Sequence, residues 1–215
     1  MRIDFVSDIA CPWCAVGLNA LEVALQNIGS DVPVELHFQP FELNPTMGPE
    51  GADAGEYLKN KYGMSDAQLA HNRGVIRARG AEVGFVFGDR SRVWNTFDAH
   101  RLLHWAALQG AGDGQDHARA LKHALLQAYH GEGRNPADPA VLKALAAAVG
   151  LDPDAAAQVL ASDAYTAEVR AAQSEWQRAG IQSVPATVIN RRHLISGGQP
   201  PQAFEEALRR FAAEV

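Results

Sequence analysis

The pattern of apolar and polar positions predicts β-strands near both ends of the chain. Near the amino end, Arg2–Ser7 is typical of a strand, and a broad apolar stripe along Ala15–Ile28 predicts an amphipathic helix. The next stretch, Val32–Phe41, has the sequence VPVELHFQPF and predicts a second strand. A strand, a helix and a strand in this order form a βαβ unit, which requires parallel strands and a right-handed crossover.

A second β-containing segment lies near the carboxyl end. Two short strands are predicted at Pro185–Asn190 and Leu194–Ser196, on either side of a turn at Asn190–Arg192. An amphipathic helix is predicted at Gln202–Phe211, after two prolines. A hairpin followed by a helix would complete a small α/β domain.

The segment between these two ends is predicted to be helical almost throughout. A stretch rich in proline and glycine, residues 44–51, leads into it. We therefore expect one discontinuous α/β domain, residues 1–51 and 178–215, with a helical insertion at residues 52–177. The clearest predicted helices of the insertion are Asn95–Leu108, Gln115–Tyr129, Pro139–Val149, Pro153–Ala161 and Tyr165–Arg178.

Composition and charge argue against several classes of protein. The net charge of −6 is spread along 215 residues without a basic block, so nucleic acid is not an expected partner. The sequence contains no run of about 20 apolar residues, and a membrane span is not expected. Because no leader-like segment precedes the first strand, we expect a cytoplasmic protein. In that compartment, a disulfide-forming cysteine pair is more often transient and catalytic than structural.

The two cysteines of the chain, Cys11 and Cys14, are separated by Pro12 and Trp13 where the first strand gives way to the first helix. Residues three apart on a helix are neighbours, so both sulfurs project to one side and can form a disulfide. Pro12 suits the first helical position, which places Cys11 at the helix N-terminus, where unpaired N–H groups and the helix dipole favour a thiolate. We therefore predict that Cys11 is the nucleophile and Cys14 the resolving thiol of thiol–disulfide exchange.

Two other interpretations of the cysteine pair are less favoured. The cysteines could be inert core residues, or half of a zinc site completed by distant histidines or carboxylates. A Cys-x-x-Cys sequence between a strand and a helix is typical of thioredoxin-like redox motifs. His100 and His104 have the spacing of helical metal ligands, but without an evident third ligand we interpret them as packing or interface residues. No metal site is expected.

Several other polar and aromatic residues have two possible roles. Asp8 could tune the thiol, but we favour a helix cap, and Asn95 and Thr96 are also predicted to cap a helix. Trp13 is either an exposed substrate contact or a packed aromatic ring. The remaining histidines form no recognisable cluster: His37, His71, His117, His123, His130 and His193.

Four stretches of the chain resemble the DsbA family of the thioredoxin superfamily, and within it the cytoplasmic FrnE-like subgroup. They are SDIACPWCAVG, FQPFELNP, NTFDAHRLLHWA and SGGQPPQAF, in this order, together with the distant Val184–Pro185 pair. The resemblance covers nearly the whole chain and implies an α/β thioredoxin-like fold with a large all-helical insertion. It also implies that Pro185 is in the cis form and lies against the cysteine pair. Val184 would then offer its backbone to an extended substrate segment.

The same resemblance extends to kappa-class glutathione transferases and 2-hydroxychromene-2-carboxylate isomerases. In those proteins a serine usually stands at the position matching Cys11, and glutathione is the cofactor. A carboxylate of glutathione could dock at Ser196 and Gly197, before the last helix, although a plain turn explains these residues equally well.

Because both cysteines are present, we expect a thiol–disulfide oxidoreductase that acts on protein substrates, with Pro185 at the catalytic site and Pro12, Trp13 and Val184 as substrate contacts. A glutathione-dependent isomerase or transferase is the alternative. No tightly bound cofactor is expected, and glutathione is a candidate redox partner. The sequence leaves open the direction of the redox reaction and the oligomeric state, for which a homodimer is one option. Some FrnE-like proteins carry a second cysteine pair near the C-terminus, which this chain does not contain, so the resemblance implies no activity that depends on such a pair.

Overall fold

The structure is a computed structural model that describes residues 1–29, 32–110 and 116–212. In chain order its elements are β1 (Arg2–Ser7), α1 (Pro12–Ile28), β2 (Glu35–Pro40), β3 (Ala52–Asp53), α2 (Ala54–Tyr62), α3 (Asp66–Glu82), β4 (Arg92–Val93), α4 (Phe97–Leu108), α5 (His117–Leu126), a π-helical turn (Gln127–Gly131), α6 (Pro139–Ala148), α7 (Pro153–Ala161), α8 (Thr166–Arg178), β5 (Ala186–Ile189), β6 (His193–Ser196) and α9 (Pro201–Ala212).

Four strands form the main sheet, in the order β2-β1-β5-β6. Strand β1 runs parallel to β2, with Phe5 opposite Phe38, and antiparallel to β5, with Phe5 opposite Thr187. Strands β5 and β6 form an antiparallel hairpin. The predicted βαβ unit, hairpin and final helix are therefore confirmed, and so is the α/β fold with a helical insertion.

The structure differs from the sequence prediction in detail. Strand β2 begins three residues later than predicted, at Glu35. The insertion is not entirely helical, because β3 and β4 pair antiparallel within it. Strands of two residues are too short to produce a periodic pattern, so hydrophobic patterning does not predict them. The predicted helix Gln115–Tyr129 corresponds to α5 and part of the π-helical turn, and Gln115 lies outside the described residues.

Besides a small cluster around Trp176 of α8, two larger apolar clusters connect the sheet to the insertion among the described residues. The first surrounds β1, α1 and α9, and it also includes Phe85 and Leu126 from the insertion. The second lies among the insertion helices and includes Ile9 and Ala10, which directly precede Cys11. The chain segment that leads into the cysteine pair is therefore packed into the core of the insertion. Among the described residues, none of the helices has the length and apolar character needed to cross a membrane.

Candidate active site

The cysteine pair lies in the first turn of α1, as predicted. Pro12 is the first helical residue and Cys11 occupies the N-cap position, with extended backbone angles (φ −88°, ψ 114°). The backbone N–H of Cys14 donates to the carbonyl of Cys11 at 3.1 Å. Both cysteines are free thiols and buried, Cys11 with 5% and Cys14 with 0% of its surface exposed. Cys11 therefore lies in front of Cys14 at the protein surface.

The Val184–Pro185 segment lies against this pair. The peptide bond between the two residues is cis, as the family resemblance implied. The thiol of Cys11 donates to the carbonyl oxygen of Val184, with a sulfur–oxygen distance of 3.5 Å. Gly17 allows α1 to lie close to Pro185, because the Cβ atom of any other residue at this position would lie only 3.0 Å from Cγ of Pro185. The structure thus brings the two predicted halves of the site together.

The turn after β6 also belongs to this surface. The backbone N–H of Gly197 donates to the carbonyl of Pro185 at 2.8 Å, so it is not free to bind an anion. Gly198 packs against Trp13, since a Cβ atom would lie 3.1 Å from the carbonyl oxygen of Trp13. Trp13 is half-buried, whereas Ser196 is exposed at the end of the edge strand β6.

Asp8 does not cap α1, and that prediction is wrong. The helix begins four residues later, at Pro12, and the fully buried Asp8 side chain points towards the insertion instead. Its carboxylate accepts hydrogen bonds from the backbone N–H of Leu43 at 2.7 Å and the hydroxyl of Thr96 at 2.7 Å, and Nε2 of His100 lies 3.4 Å away. Burial alone would raise the pKa of Asp8, but the bonds from His100, Leu43 and Thr96 outweigh it and lower the pKa below its usual value.

The helix-capping prediction for α4 is right for one residue and wrong for the other. The Asn95 side chain accepts a hydrogen bond from the N–H of Phe97 at 2.8 Å and so caps the helix. Thr96 occupies the N-cap position but makes no capping bond, because its hydroxyl donates to Asp8. A buried carboxylate offers this hydroxyl a stronger hydrogen-bond partner than a helix N–H.

The two histidines with metal-ligand spacing have different surroundings. His100 is buried beside Asp8, whereas the ring of His104 packs against Tyr165 with 5.3 Å between ring centroids. Over the three ranges that the structure describes, there is no group of three or more histidine, cysteine or carboxylate side chains that could hold a metal ion.

Two residues of the insertion hold the backbone directly before Cys11. Nε2 of His130, in the π-helical turn, lies 2.8 Å from the carbonyl oxygen of Ile9. The guanidinium of Arg90 donates to the carbonyl oxygen of Ala10 at 3.2 Å. Burial and the nearby Arg90 charge lower the pKa of His130 well below its ordinary value, so the ring is neutral and donates its Nε2 proton. The sequence analysis placed His130 in no cluster and did not single out Arg90.

A buried lysine of α5 interacts electrostatically with both cysteines. Lys122 is 1% exposed, and burial lowers its pKa to about 8. The negative charges of Cys14, Asp8 and Cys11 act in the opposite direction and raise the pKa, but by less. Burial raises the pKa of Cys14, as do its hydrogen bond and charge interaction with Cys11, while the positive charge of Lys122 favours the thiolate. Sequence reasoning missed Lys122 because one lysine on a helix is usually a solvated residue.

The cysteine pair opens onto a large cleft of about 1070 Å³. Its lining includes Cys11, Trp13 and Val184, residues 41–44, and residues of α2, α3 and the turn between them. This last group contains the apolar or aromatic residues Tyr57, Leu58, Met64, Leu69, Val75 and Ile76 and the cationic residues Lys61, Arg73 and Arg77. The volume is slightly above the usual range for small-molecule pockets, roughly 300–1,000 Å³.

Comparison with known proteins gives consistent matches along the full chain. The chain is 29% identical over 210 residues to YwbO, an uncharacterised protein of Bacillus subtilis. The alignment covers 97% of this chain and 96% of YwbO. It is 35% identical to a probable DsbA oxidoreductase from Streptomyces coelicolor, with a TM-score of 0.90 over 100% of this chain and 91% of the other. The cytosolic disulfide reductase DsbM from Pseudomonas aeruginosa, solved with glutathione, shares the fold at 19% identity, with a TM-score of 0.66 over 99% of this chain and 100% of DsbM.

A family model decides the assignment. The model of the DSBA-like thioredoxin domain matches residues 2–209, which include the sheet, the insertion and α9 up to its last turn. The match therefore includes the cysteine pair at one end and the Val184–Pro185 segment at the other. The chain belongs to the DSBA-like thioredoxin domain family.

Proposed function

We propose that the protein is a thiol–disulfide oxidoreductase that exchanges disulfides with polypeptide substrates through Cys11 and Cys14. The main support is the position of Cys11, at the N-terminus of α1 and at the border of a cleft large enough for a peptide segment. Cys14 lies one helical turn away, which is within reach of the Cys11 sulfur once a mixed disulfide has formed.

The reaction transfers two electrons between the cysteine pair and the substrate. The Cys11 thiolate attacks one sulfur of a substrate disulfide, so that a mixed disulfide forms and the other substrate sulfur leaves as a thiolate, which takes a proton from water. The Cys14 thiolate then attacks the Cys11 sulfur, and the second substrate thiolate leaves. The substrate is reduced and the Cys11–Cys14 pair is oxidised. The same steps in reverse oxidise a substrate dithiol.

The insertion residues have defined roles in this reaction. Cys14 must lose its proton before it attacks, and burial opposes this by raising its pKa. The positive charge of Lys122 attracts the thiolate that forms. Arg90 and His130 hold the carbonyls of Ala10 and Ile9 and so position Cys11. These three residues are positioning residues in the proposal, because they act through the cysteines.

The test is reduction of insulin by dithiothreitol, with the protein as catalyst. Cys11→Ser is expected to abolish catalysis, and Cys14→Ser to accumulate mixed disulfides that appear as higher-mass species without reductant. A redox titration in glutathione buffers, read by thiol alkylation and mass, should show a single two-electron transition. If wild type and Cys11→Ser reduce insulin at the same rate, or if no disulfide forms in oxidising buffers, the proposal fails.

Glutathione is the small thiol that we propose as redox partner of the cysteine pair. Since both thiols are present, glutathione would react at Cys11 as a substrate and would not serve as a bound cofactor. Activity with glutathione that persists in Cys14→Ser and requires no disulfide would instead support the isomerase or transferase alternative. A cytoplasmic location and membership of the FrnE-like subgroup stay predictions.

A further inference from the structure

The lining of the cleft carries more positive than negative charge. Its cationic side chains are Lys61, Arg73, Arg77 and Arg90, and its acidic side chains are Glu42, Asp53 and Asp89. The whole chain, in contrast, has a net charge of −6. The charge of the cleft is therefore opposite in sign to that of the protein, and which of its cations are free to meet a substrate depends on their partners.

The acids of the lining have other partners. Asp89 pairs with Arg77 at 2.6 Å, and Glu42 pairs with Arg170 of α8. Asp53 accepts a hydrogen bond from a backbone N–H at the start of α2 at 2.9 Å, where the helix dipole offsets part of its charge. Within the described ranges, none of the other three cations of the lining has a carboxylate close enough for an ion pair.

The acidic residues nearest to these cations in the chain pair with a lysine outside the lining. Lys59 of α2 pairs with Glu56 at 2.6 Å and with Asp66, the first residue of α3, at 3.1 Å. None of these three residues belongs to the lining of the cleft. Lys61, two residues further along α2, belongs to the lining and keeps an uncompensated charge.

The ammonium group of Lys61 is held in place by neutral groups. It donates to the carbonyl oxygen of Leu43 and to Oδ1 of Asn44, each at 2.7 Å. It also lies 5.5 Å from the ring centroid of Tyr57 and 5.6 Å from that of Tyr62. An ammonium group has three N–H donors, and these hydrogen bonds use two of them. Because the side chain of Lys61 is exposed, the third donor is accessible to a ligand in the cleft.

Lys61 is connected to the Cys11 segment by a short series of hydrogen bonds. The residue whose carbonyl it holds, Leu43, donates its N–H to the carboxylate of Asp8 at 2.7 Å. The N–H of Cys11 in turn donates to the carbonyl of Asp8 at 3.2 Å. At about 3.3 Å per residue, an extended segment of about five residues covers a path of this kind. A substrate whose cysteine meets Cys11 therefore has neighbouring residues within reach of Lys61.

We propose that the cleft selects polypeptide substrates that carry an acidic side chain near the reactive cysteine, and that the ammonium group of Lys61 binds this carboxylate. The inference rests on the proposed function and names the class of substrate for the same site. Arg73 and Arg90 add attraction at longer range, since a cleft with one sign of charge concentrates ligands of the other sign. Apolar side chains of the lining, such as Leu58 and Ile76, would contact apolar residues of the same segment.

The experiment combines a change in the protein with a change in the substrate. The substrates are pairs of disulfide-linked peptides that differ only by glutamate or glutamine at one position, which is moved through about five residues on either side of the cysteine. Each rate with the reduced protein is divided by the rate of the same peptide with dithiothreitol, which removes differences in the disulfide itself. Lys61→Gln removes the charge and keeps a hydrogen-bond donor for Leu43 and Asn44. Lys59→Gln is the matched control, because it makes the same change of charge on the same helix outside the cleft lining.

The wild type should react about fivefold faster with the glutamate peptide than with its glutamine partner at one or a few positions, at low salt. This factor corresponds to about 1 kcal/mol, the upper end for an exposed ion pair. It should fall to about twofold in about 0.5 M salt, which screens exposed charges. In Lys61→Gln the two peptides should react at nearly equal rates, whereas Lys61→Arg and Lys59→Gln should keep the preference. The glutamine peptide should react equally fast with all of these proteins, which checks folding and thiol reactivity.

The inference is overturned if glutamate and glutamine peptides react equally fast with the wild type at every position, or if Lys61→Gln keeps the preference. A preference that Lys59→Gln loses as fully as Lys61→Gln also overturns it, because the effect would then come from net charge alone. Oxidised glutathione carries carboxylates as well, and a rate that depends on Lys61 with glutathione but with none of the peptides rejects polypeptides as the selected class. Failure of the proposed function is distinct, because the wild type would then react with none of the peptides.

Discussion

Lys122, on α5 of the insertion, allows a quantitative test of what a buried charge costs the folded protein. Its ammonium group is 1% exposed, and burial lowers its pKa from the usual 10.5 to about 8. One pKa unit corresponds to about 1.36 kcal/mol, so keeping the buried ammonium charged costs the folded state about 3 kcal/mol at neutral pH. Lys122→Met removes the charge and keeps a linear apolar side chain.

The sign of the pH effect follows from proton binding. The unfolded chain binds the lysine proton more tightly than the folded protein, so the folded state gains stability as the pH rises from about 8 to about 10.5. Between pH 7 and pH 9.5 this gain amounts to about 2 kcal/mol. Lys122→Met has no such group, and its free energy of unfolding should lack this increase.

The assay is urea unfolding of the wild type and Lys122→Met from pH 7 to pH 9.5, with the Cys11–Cys14 disulfide closed so that no thiol titrates. All other titrating groups are shared, so the difference between the two free energies of unfolding reports on Lys122 alone. It should change by at least about 2 kcal/mol in favour of the wild type as the pH rises, because closing the disulfide removes the thiolates that raise the pKa of Lys122. Parallel curves for the two proteins would refute the assignment of Lys122 as a buried, costly charge.

Three further predictions concern the site itself. Asp8→Asn should lower the free energy of unfolding by about 3 kcal/mol at neutral pH, measured by urea titration, because one end of the amide would turn its NH₂ towards donor groups. Gly198→Ala should slow insulin reduction several-fold and shift the emission of Trp13, since the added Cβ would lie 3.1 Å from the Trp13 carbonyl; Gly74→Ala, with open space around its Cβ, is the control. Release of a substrate from the mixed disulfide, followed by stopped flow, should accelerate as the pH rises from 7 to 9, because burial raises the pKa of Cys14.

Sequence reasoning predicted those parts of the site that depend on residues close together in the chain. A proline directly after Cys11 favours a helix start there, and a three-residue spacing places Cys14 on the same side, so both positions follow from a few adjacent residues. The position of Val184 and Pro185 came from the family resemblance, because 170 and more residues separate them from Cys11. The hydrogen bond between the Cys11 thiol and the Val184 carbonyl confirms that contact.

The parts that it missed depend on contacts between distant segments. An aspartate shortly before a helix is typical of a cap, and only the tertiary structure shows that Thr96 and His100 surround Asp8. His130 reaches the backbone before Cys11 because α5 ends in a π-helical turn. Neither a hydrophobic pattern nor a short motif contains information about such a turn, whose bulges are frequent at functional sites.

The distribution of charge around the cysteine pair has a consequence for its chemistry. Any group that stabilises a thiolate stabilises the reduced form of the pair, and so raises its reduction potential. Lys122 is such a group, and its own positive charge is stabilised by the nearby Asp8 carboxylate, which hydrogen bonds keep ionised. Because Lys122 lies in the insertion, we expect the reduction potential of the pair to depend on how closely the insertion packs against the Asp8–Ala10 segment. Proteins that share this Cys-Pro-Trp-Cys sequence can therefore differ in potential through residues far from it in the chain.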